Sequence, residues 1–162
     1  MIKIIRTKHN QWYDIKDGIL EVEHKTFDHD SRYQEEHDDF ESFVKDNTIN
    51  FIVKDNDKII GYLMSCPIEN DIRYDHDEYF GKHDTFHLES MAILKKYRGT
   101  GLGNRLFEKF LETAKKLKFK RVVLDATSES MTMLALKHGF KKLTFHEKWD
   151  GDTSAWYMEK IF

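Results

Sequence analysis

Apolar and polar positions along this chain repeat with two periods. Across residues 85–94 the apolar positions alternate in part, with Met91 and Ile93 among them, and the charged pair Lys95 and Lys96 closes the run. That pattern predicts a strand. Leu102, Leu106, Phe107, Phe110, Leu111, Ala114 and Leu117 then recur every three to four residues, with Asn104, Arg105, Glu108, Lys109 and Glu112 on the other side. Such spacing predicts a long amphipathic helix with its apolar stripe on a core. Between the two lies Tyr-Arg-Gly-Thr-Gly-Leu-Gly-Asn, residues 97–104.

The rest of the chain reads in the same terms. Residues 1–6 predict a short strand burying Ile2, Ile4 and Ile5. Trp12, Ile15, Ile19, Leu20 and Val22 predict a helix that carries Gly18 inside it, at a cost of about 1 kcal/mol against alanine. After the polar break 28–31, Ser31 and Gln34 form a capping box for a second helix over 32–45 that buries Tyr33, Phe40, Phe43 and Val44. Strands are expected at 50–54 and 58–65 around the turn Asp55-Asn56-Asp57, with Gly61 marking a bulge or a close approach and Pro67 closing the second strand. A long charged connection, 69–84, has no period of its own and marks a functional or mobile segment. A buried strand at 122–124, a short helix over 128–138 ended by Gly139, and a hairpin of 141–149 with 155–162 turned by Asp150-Gly151 complete the chain. Spacing by itself reaches an α/β or α+β chain with one layer of sheet.

A strand, a glycine loop and a helix start make a place for phosphate. Glycines allow close approach of the backbone, the first helical amides have no internal partner, and the helix dipole favours an anion there by roughly 0.3–2 kcal/mol. Arg98 adds a cation. A P-loop would need Gly-Lys-Ser/Thr after four spacers, which is absent, and a dinucleotide fingerprint would need a third glycine where Leu106 stands.

The hexapeptide Arg98-Gly99-Thr100-Gly101-Leu102-Gly103 resembles the Arg/Gln-x-x-Gly-x-Gly/Ala signature of the GNAT superfamily of acetyl-CoA-dependent N-acetyltransferases. Leu88-Glu89-Ser90-Met91-Ala92-Ile93 resembles the strand that precedes that loop in the family, and residues 134–140 resemble its short helix closing on Gly-Phe. The likeness covers roughly residues 52–162. It implies a single GNAT domain over residues 1–162, an α/β (mixed α+β) fold with a central bent mixed sheet of about six to seven strands flanked by about four helices. It also implies acetyl-CoA as co-substrate, with Arg98, Gly99, Thr100, Gly101, Leu102, Gly103 and Asn104 around the pyrophosphate, and Met91, Ala92 and Ile93 pairing with the pantetheine arm and polarising the thioester carbonyl.

By the same resemblance Glu89 is the general base that takes a proton from the amine. A carboxylate on a mostly apolar strand is costly to bury, which pushes its pKa towards the working range. His87, two residues away on the same face, is the reserve base. Where the family often has a tyrosine to protonate the departing thiolate, this chain has Ala135, and where it often has an asparagine near the pantetheine arm, this chain has Ser128. The general acid is therefore open among Tyr157, His138, Ser130 and water. The acceptor pocket maps by resemblance to 27–40, 69–84 and 147–156. There Asp28, Asp30, Glu35, Asp75, Asp77, Glu78 and Asp84 surround Tyr33, Tyr74, Tyr79 and Trp149, with Tyr33, Asp75, Tyr79 and Trp149 as candidate contacts. Acids with aromatic faces suit a cationic amine: a polyamine, an aminoglycoside or a lysine-like amine first, a protein amine next.

Composition narrows the alternatives. With 162 residues, 40% of them hydrophobic and 14% aromatic, the chain has enough apolar surface for one domain. No apolar run approaches the roughly 20 residues of a membrane span, residues 1–12 do not read as a signal peptide, and Cys66 stands alone, so a cytoplasmic location and no membrane partner are expected. The net charge of −3 hides a split: residues 1–90 hold 11 Lys/Arg and 21 Asp/Glu, residues 91–162 hold 15 and 8. The basic part reads as the coenzyme side and the acidic part as the acceptor side; a nucleic-acid binder would show a dominant basic stripe. Asp75-His76-Asp77 with His83 and Asp84, and His24 with Asp28, His29 and Asp30, match no metal-ligand spacing, so no metal is expected. The competing readings are a non-catalytic acyl-CoA-binding module of the same fold and, behind it, an oxidoreductase fragment using Asp125 on a ribose. A monomer or a homodimer is expected.

Overall fold

The structure, a computed structural model, describes residues 1–27, 40, 42–68 and 84–162. Its strands are hydrogen-bonded in the order β1 (Ile2–Arg6), β2 (Phe51–Asp55), β3 (Lys58–Pro67), β4 (Thr85–Ile93), β5 (Arg121–Ala126), β7 (Thr153–Ile161), β6 (Lys141–Asp150). By proximity the chain groups into two compact units, Met1–Ser65 with Ser90–Phe110, and Cys66–Glu89 with Leu111–Phe162.

In the first unit β1 (Ile2–Arg6) pairs antiparallel with β2 (Phe51–Asp55), and β2 with β3 (Lys58–Pro67). The expected burial of Ile2 and Ile5 does not hold: each is 37% exposed, because β1 is the outermost strand of the order and has one neighbour. Helix α1 (Trp12–Thr26) buries Trp12, Ile15, Ile19 and Val22. Trp12 stacks on Phe40 and Phe43 with ring centroids 5.8 and 5.5 Å away, and both phenylalanines meet Tyr62 edge-on. Gly18 stands so close to β3 that a Cβ there would lie 2.8 Å from Ile59 Cδ1. The second helix expected over 32–45 lies mostly outside the described residues. Phe40, Ser42 and Phe43 at its end form a 3-10 turn, and Val44, expected inside, is 42% exposed.

The bulge expected at Gly61 is present and repositions β3. Val53 pairs with Gly61 but Lys54 pairs with Ile59, leaving Ile60 as the extra residue. Strict alternation would send Ile59 and Tyr62 to opposite faces; with the bulge both reach α1. Gly61 is also a close approach. A Cβ there would sit 2.8 Å from the Ala92 carbonyl oxygen and 2.5 Å from Ile93 Cδ1.

In the second unit, β4 (Thr85–Ile93) runs parallel to β5 (Arg121–Ala126), from Thr85 opposite Arg121 to Leu88 opposite Leu124. The connection between them contains α2 (Leu102–Lys116), as a crossover to a parallel strand requires. Leu117, placed on the apolar stripe by periodicity, is 47% exposed: the helix ends one residue earlier, and Lys118 turns the chain with φ +65°. β7 (Thr153–Ile161) pairs antiparallel with β5 and with β6 (Lys141–Asp150). Helix α3 (Glu129–Lys137) starts at Ser128, whose hydroxyl accepts from Met131 N, and ends in a Schellman motif: Phe140 N donates to Ala135 O and Gly139 N to Leu136 O. The described residues hold three α-helices, one fewer than expected, in a mixed α/β fold. Among them no helix is long and apolar enough to cross a membrane.

Candidate active site

The glycine loop is tied down at both ends. Leu94 N donates to Ile60 O at 2.9 Å, and a single 3-10 turn, Lys95–Tyr97, follows. Arg98 Nε donates to Ile93 O at 2.8 Å, folding the guanidinium back onto the end of β4. Thr100 Oγ1 donates to Tyr97 O at 2.8 Å, and Tyr97 Oη donates to Asp55 Oδ2 at 3.0 Å, which anchors the turn on the β2–β3 hairpin. Asp55 also receives the N-terminal ammonium at 3.3 Å. These contacts hold the Asp55 carboxyl below its ordinary pKa, the Tyr97 hydrogen bond first and the ammonium second.

Gly99 and Gly101 have φ +76° and +79°, and a Cβ on either would meet nothing within 4 Å. Their role is conformational, in a backbone region that side chains resist, and the space before them is open. Arg105 N donates to Gly101 O where α2 begins, so the helix N-terminus and its dipole face the loop. Open space, a helix N-terminus and an adjacent guanidinium fit a pyrophosphate. Leu102 is buried and offers the loop its backbone alone. Gly103 lies against Met91, where a Cβ would be 3.4 Å from the methionine methyl. Asn104 donates to Glu108 Oε1 at 2.7 Å, so its amide lies along the helix.

Glu89 is partly exposed at the end of the second unit's stretch of β4. Two residues earlier on its face His87 is buried, with Nε2 3.8 Å from Asp125 Oδ2 on β5, and Tyr157 of β7 is paired with Asp125 in register. The acid candidates are scattered. Tyr157 is 4% exposed; His138 caps α3 and its carbonyl accepts from Lys160 Nζ at 2.7 Å; Ser130 Oγ is 3.2 Å from Ser128 Oγ. Ala135 is buried in α3. Ser128 lines a groove of about 330 Å3 with Met133, Leu136, Phe145 and Trp156. Trp149 on β6 is 36% exposed and is not part of that groove's lining. Tyr33, Asp75 and Tyr79 lie outside the described residues, as do most members of the two His/Asp groups.

One cluster was not legible in the pattern. Glu23 on α1 is 6% exposed, Tyr62 donates to its Oε2, and Tyr62 Oη is 2.9 Å from Ser90 Oγ on β4. The available signal was the place of Glu23 at the end of the apolar row Trp12, Ile15, Ile19, Val22, four residues after Ile19.

The fold recurs in solved structures. The chain is similar to the ribosomal-protein-S18-alanine N-acetyltransferase of Escherichia coli (17% identity over 99% of this chain and 94% of that one, TM-score 0.72). It is also similar to mosquito arylalkylamine N-acetyltransferase like 5b (19% identity, all of both chains, TM-score 0.74). A third similar structure, described as a streptothricin acetyltransferase from Bacillus anthracis str. Ames, is in complex with acetyl coenzyme A (20% identity, 100% and 99% covered, TM-score 0.69). No curated protein matches the sequence. The profile of the acetyltransferase (GNAT) family matches residues 10–140. That span is most of the chain and contains the strand, the glycine loop and both helices of the site, so the chain belongs to the acetyltransferase (GNAT) family.

Proposed function

We propose that this enzyme moves the acetyl group of acetyl-CoA directly to a cationic primary amine, with Glu89 as general base. Residues 98–104 receive the pyrophosphate through backbone amides and the Arg98 guanidinium. Met91, Ala92 and Ile93 run beside the pantetheine arm, their amides drawing charge from the thioester carbonyl, and Ser128 donates from the start of α3. The observation that carries the reading is the loop itself: two glycines at positive φ facing open space, immediately after a strand that bears a partly exposed carboxylate.

The acceptor follows from charge. The acids of the first 90 residues outnumber the bases nearly two to one, which draws in cations. A small polyamine, aminoglycoside or lysine-like amine leads, with Asp75, Tyr33, Tyr79 and Trp149 as contacts; a protein amine stands second. The names of the similar structures, an arylalkylamine enzyme, a streptothricin enzyme and a ribosomal-protein enzyme, span both classes.

The test is thiol release from acetyl-CoA against a panel of polyamines, aminoglycosides, amino acids and peptides, with Glu89→Gln alongside. The expected result is one responsive amine class and a turnover at least about tenfold lower in Glu89→Gln, with acetyl-CoA affinity unchanged, as loss of a general base predicts. Undiminished turnover in Glu89→Gln removes Glu89 as the base. Binding of acetyl-CoA with no amine consumed overturns the proposed reaction.

A further inference from the structure

Glu23, Tyr62 and Ser90 form a hydrogen-bonded line from the buried face of α1, through β3, to β4 between Glu89 and Met91. Its direction follows from counting protons. A phenol has one O–H, and Tyr62 gives it to the Glu23 carboxylate. The 2.9 Å contact with Ser90 must then be donated by the serine hydroxyl. Both bonds point inward to the carboxylate, so the outer end of the line, Ser90 Oγ, is left with a lone pair to accept a further hydrogen. Ser90 is partly exposed, whereas Tyr62 is 0% and Glu23 6% exposed.

Packing alone does not call for this arrangement. Glu23 continues the apolar row of α1, and Tyr62 sits edge-on to Phe40 and Phe43. An apolar side chain at residue 23 would fill the same place without the desolvation penalty of a buried carboxylate.

We propose that Ser90 is a catalytic residue that receives a proton from the acceptor nitrogen, and that Tyr62 and Glu23 act through it as a two-step relay. The inference rests on the amine acetylation proposed above, and it gives the line a step separate from that of Glu89. Glu89 takes the first proton, turning the ammonium into an amine. The nitrogen lone pair forms the C–N bond at the thioester carbonyl, leaving the nitrogen positively charged with a second proton to lose. That N–H breaks towards Ser90 Oγ, the Ser90 proton passes to Tyr62 Oη, and the Tyr62 proton passes to Glu23, which becomes a neutral carboxylic acid. As the C–S bond breaks with its electron pair on sulfur, the two inner transfers reverse, Glu23 returning a proton to Tyr62 and Tyr62 to Ser90, while the Ser90 O–H gives its proton to the thiolate, which becomes a thiol. No oxidant or further reactant is needed, and the family's tyrosine, replaced by buried Ala135, is not required.

The test uses the full chain with Ser90→Ala, Tyr62→Phe and Glu23→Gln, checked for folding by circular dichroism and thermal melting. Each is expected to lower kcat by about tenfold or more, the lower part of the range for proton transfer by a side chain being a hundredfold. KM for acetyl-CoA is expected to stay within about twofold. Because the three groups act in series, the Ser90→Ala/Glu23→Gln double variant should be little slower than the slower single one. An activity-independent arm follows the protonated carboxyl by infrared difference spectroscopy after a pH jump: the Glu23→Gln difference identifies the band, and Tyr62→Phe should slow its appearance. If Tyr62→Phe or Glu23→Gln melts early, Ser90→Ala, at the partly exposed end, still decides the kinetics. Folded variants with kcat within about twofold of wild type overturn the relay while leaving Glu89 as the base. A wild type that acetylates no amine overturns the proposed reaction instead, and then a Glu23 band that rises as fast in Ser90→Ala and Tyr62→Phe as in wild type overturns the relay as well.

Discussion

Single residues in this protein are constrained for different physical reasons that look alike in sequence. Gly99 and Gly101 face open space and answer to backbone conformation; Gly61 answers to volume. A methyl at Gly61 would press on the Ala92 carbonyl oxygen at 2.8 Å, and that atom belongs to β4 backbone that cannot swing aside. Gly61→Ala should therefore lower unfolding stability by about 1–3 kcal/mol, the usual cost of overpacking, as read from urea denaturation midpoints. A midpoint equal to wild type would mean that the two strands separate readily at that point. The carboxylates divide similarly: Glu23 is buried on an apolar helix face and Glu89 is partly exposed on a strand. The family resemblance singled out only the second, and periodicity passed over the first, since a lone acid at the edge of an apolar row reads as the start of the polar face.

At the scale of elements, the turn between β4 and α2 is held by a contact to a hairpin distant in sequence. Asp55 of β2 accepts from Tyr97, and the same carboxyl receives the N-terminal ammonium. Its folded-state pKa is depressed, chiefly by the Tyr97 hydroxyl, so the stabilisation is present above the ordinary carboxylate pKa and is lost as pH falls through the lowered value. Asp55→Asn should weaken acetyl-CoA binding at neutral pH by about two- to fivefold, the scale of an exposed charged contact, and should flatten the further loss seen in acid. Calorimetric titrations at neutral and acidic pH measure both; equal affinities of variant and wild type would show that the loop holds its shape without this anchor. The Schellman closure of α3 was readable in Gly139-Phe140, whereas the 3-10 conformation of Phe40, Ser42 and Phe43 was not. Burial of those rings against Trp12 and Tyr62 overrides local helix propensity there.

For the molecule as a whole, charge carries the acceptor prediction. If acids of the first 90 residues attract a cationic amine, the acceptor KM should rise several-fold with added salt, because a Debye length of about 10 Å at 0.1 M screens exposed charges. Asp75→Asn with Asp77→Asn and Glu78→Gln should raise that KM at low salt and flatten its salt dependence; steady-state kinetics with unchanged KM would remove those acids from acceptor binding. The sequence by itself determined the family, the order of the described strands and α-helices, and the place of the glycine loop, because these rest on local periods, turn residues and one contiguous motif. The register shift at Ile60, the exposure of Ile2, Ile5, Val44 and Leu117, and the meeting of Glu23, Tyr62 and Ser90 were decided only by tertiary structure. The last of these joins residues 39 and 28 positions apart, and no local pattern records which distant side chains a bulged strand will bring to a helix.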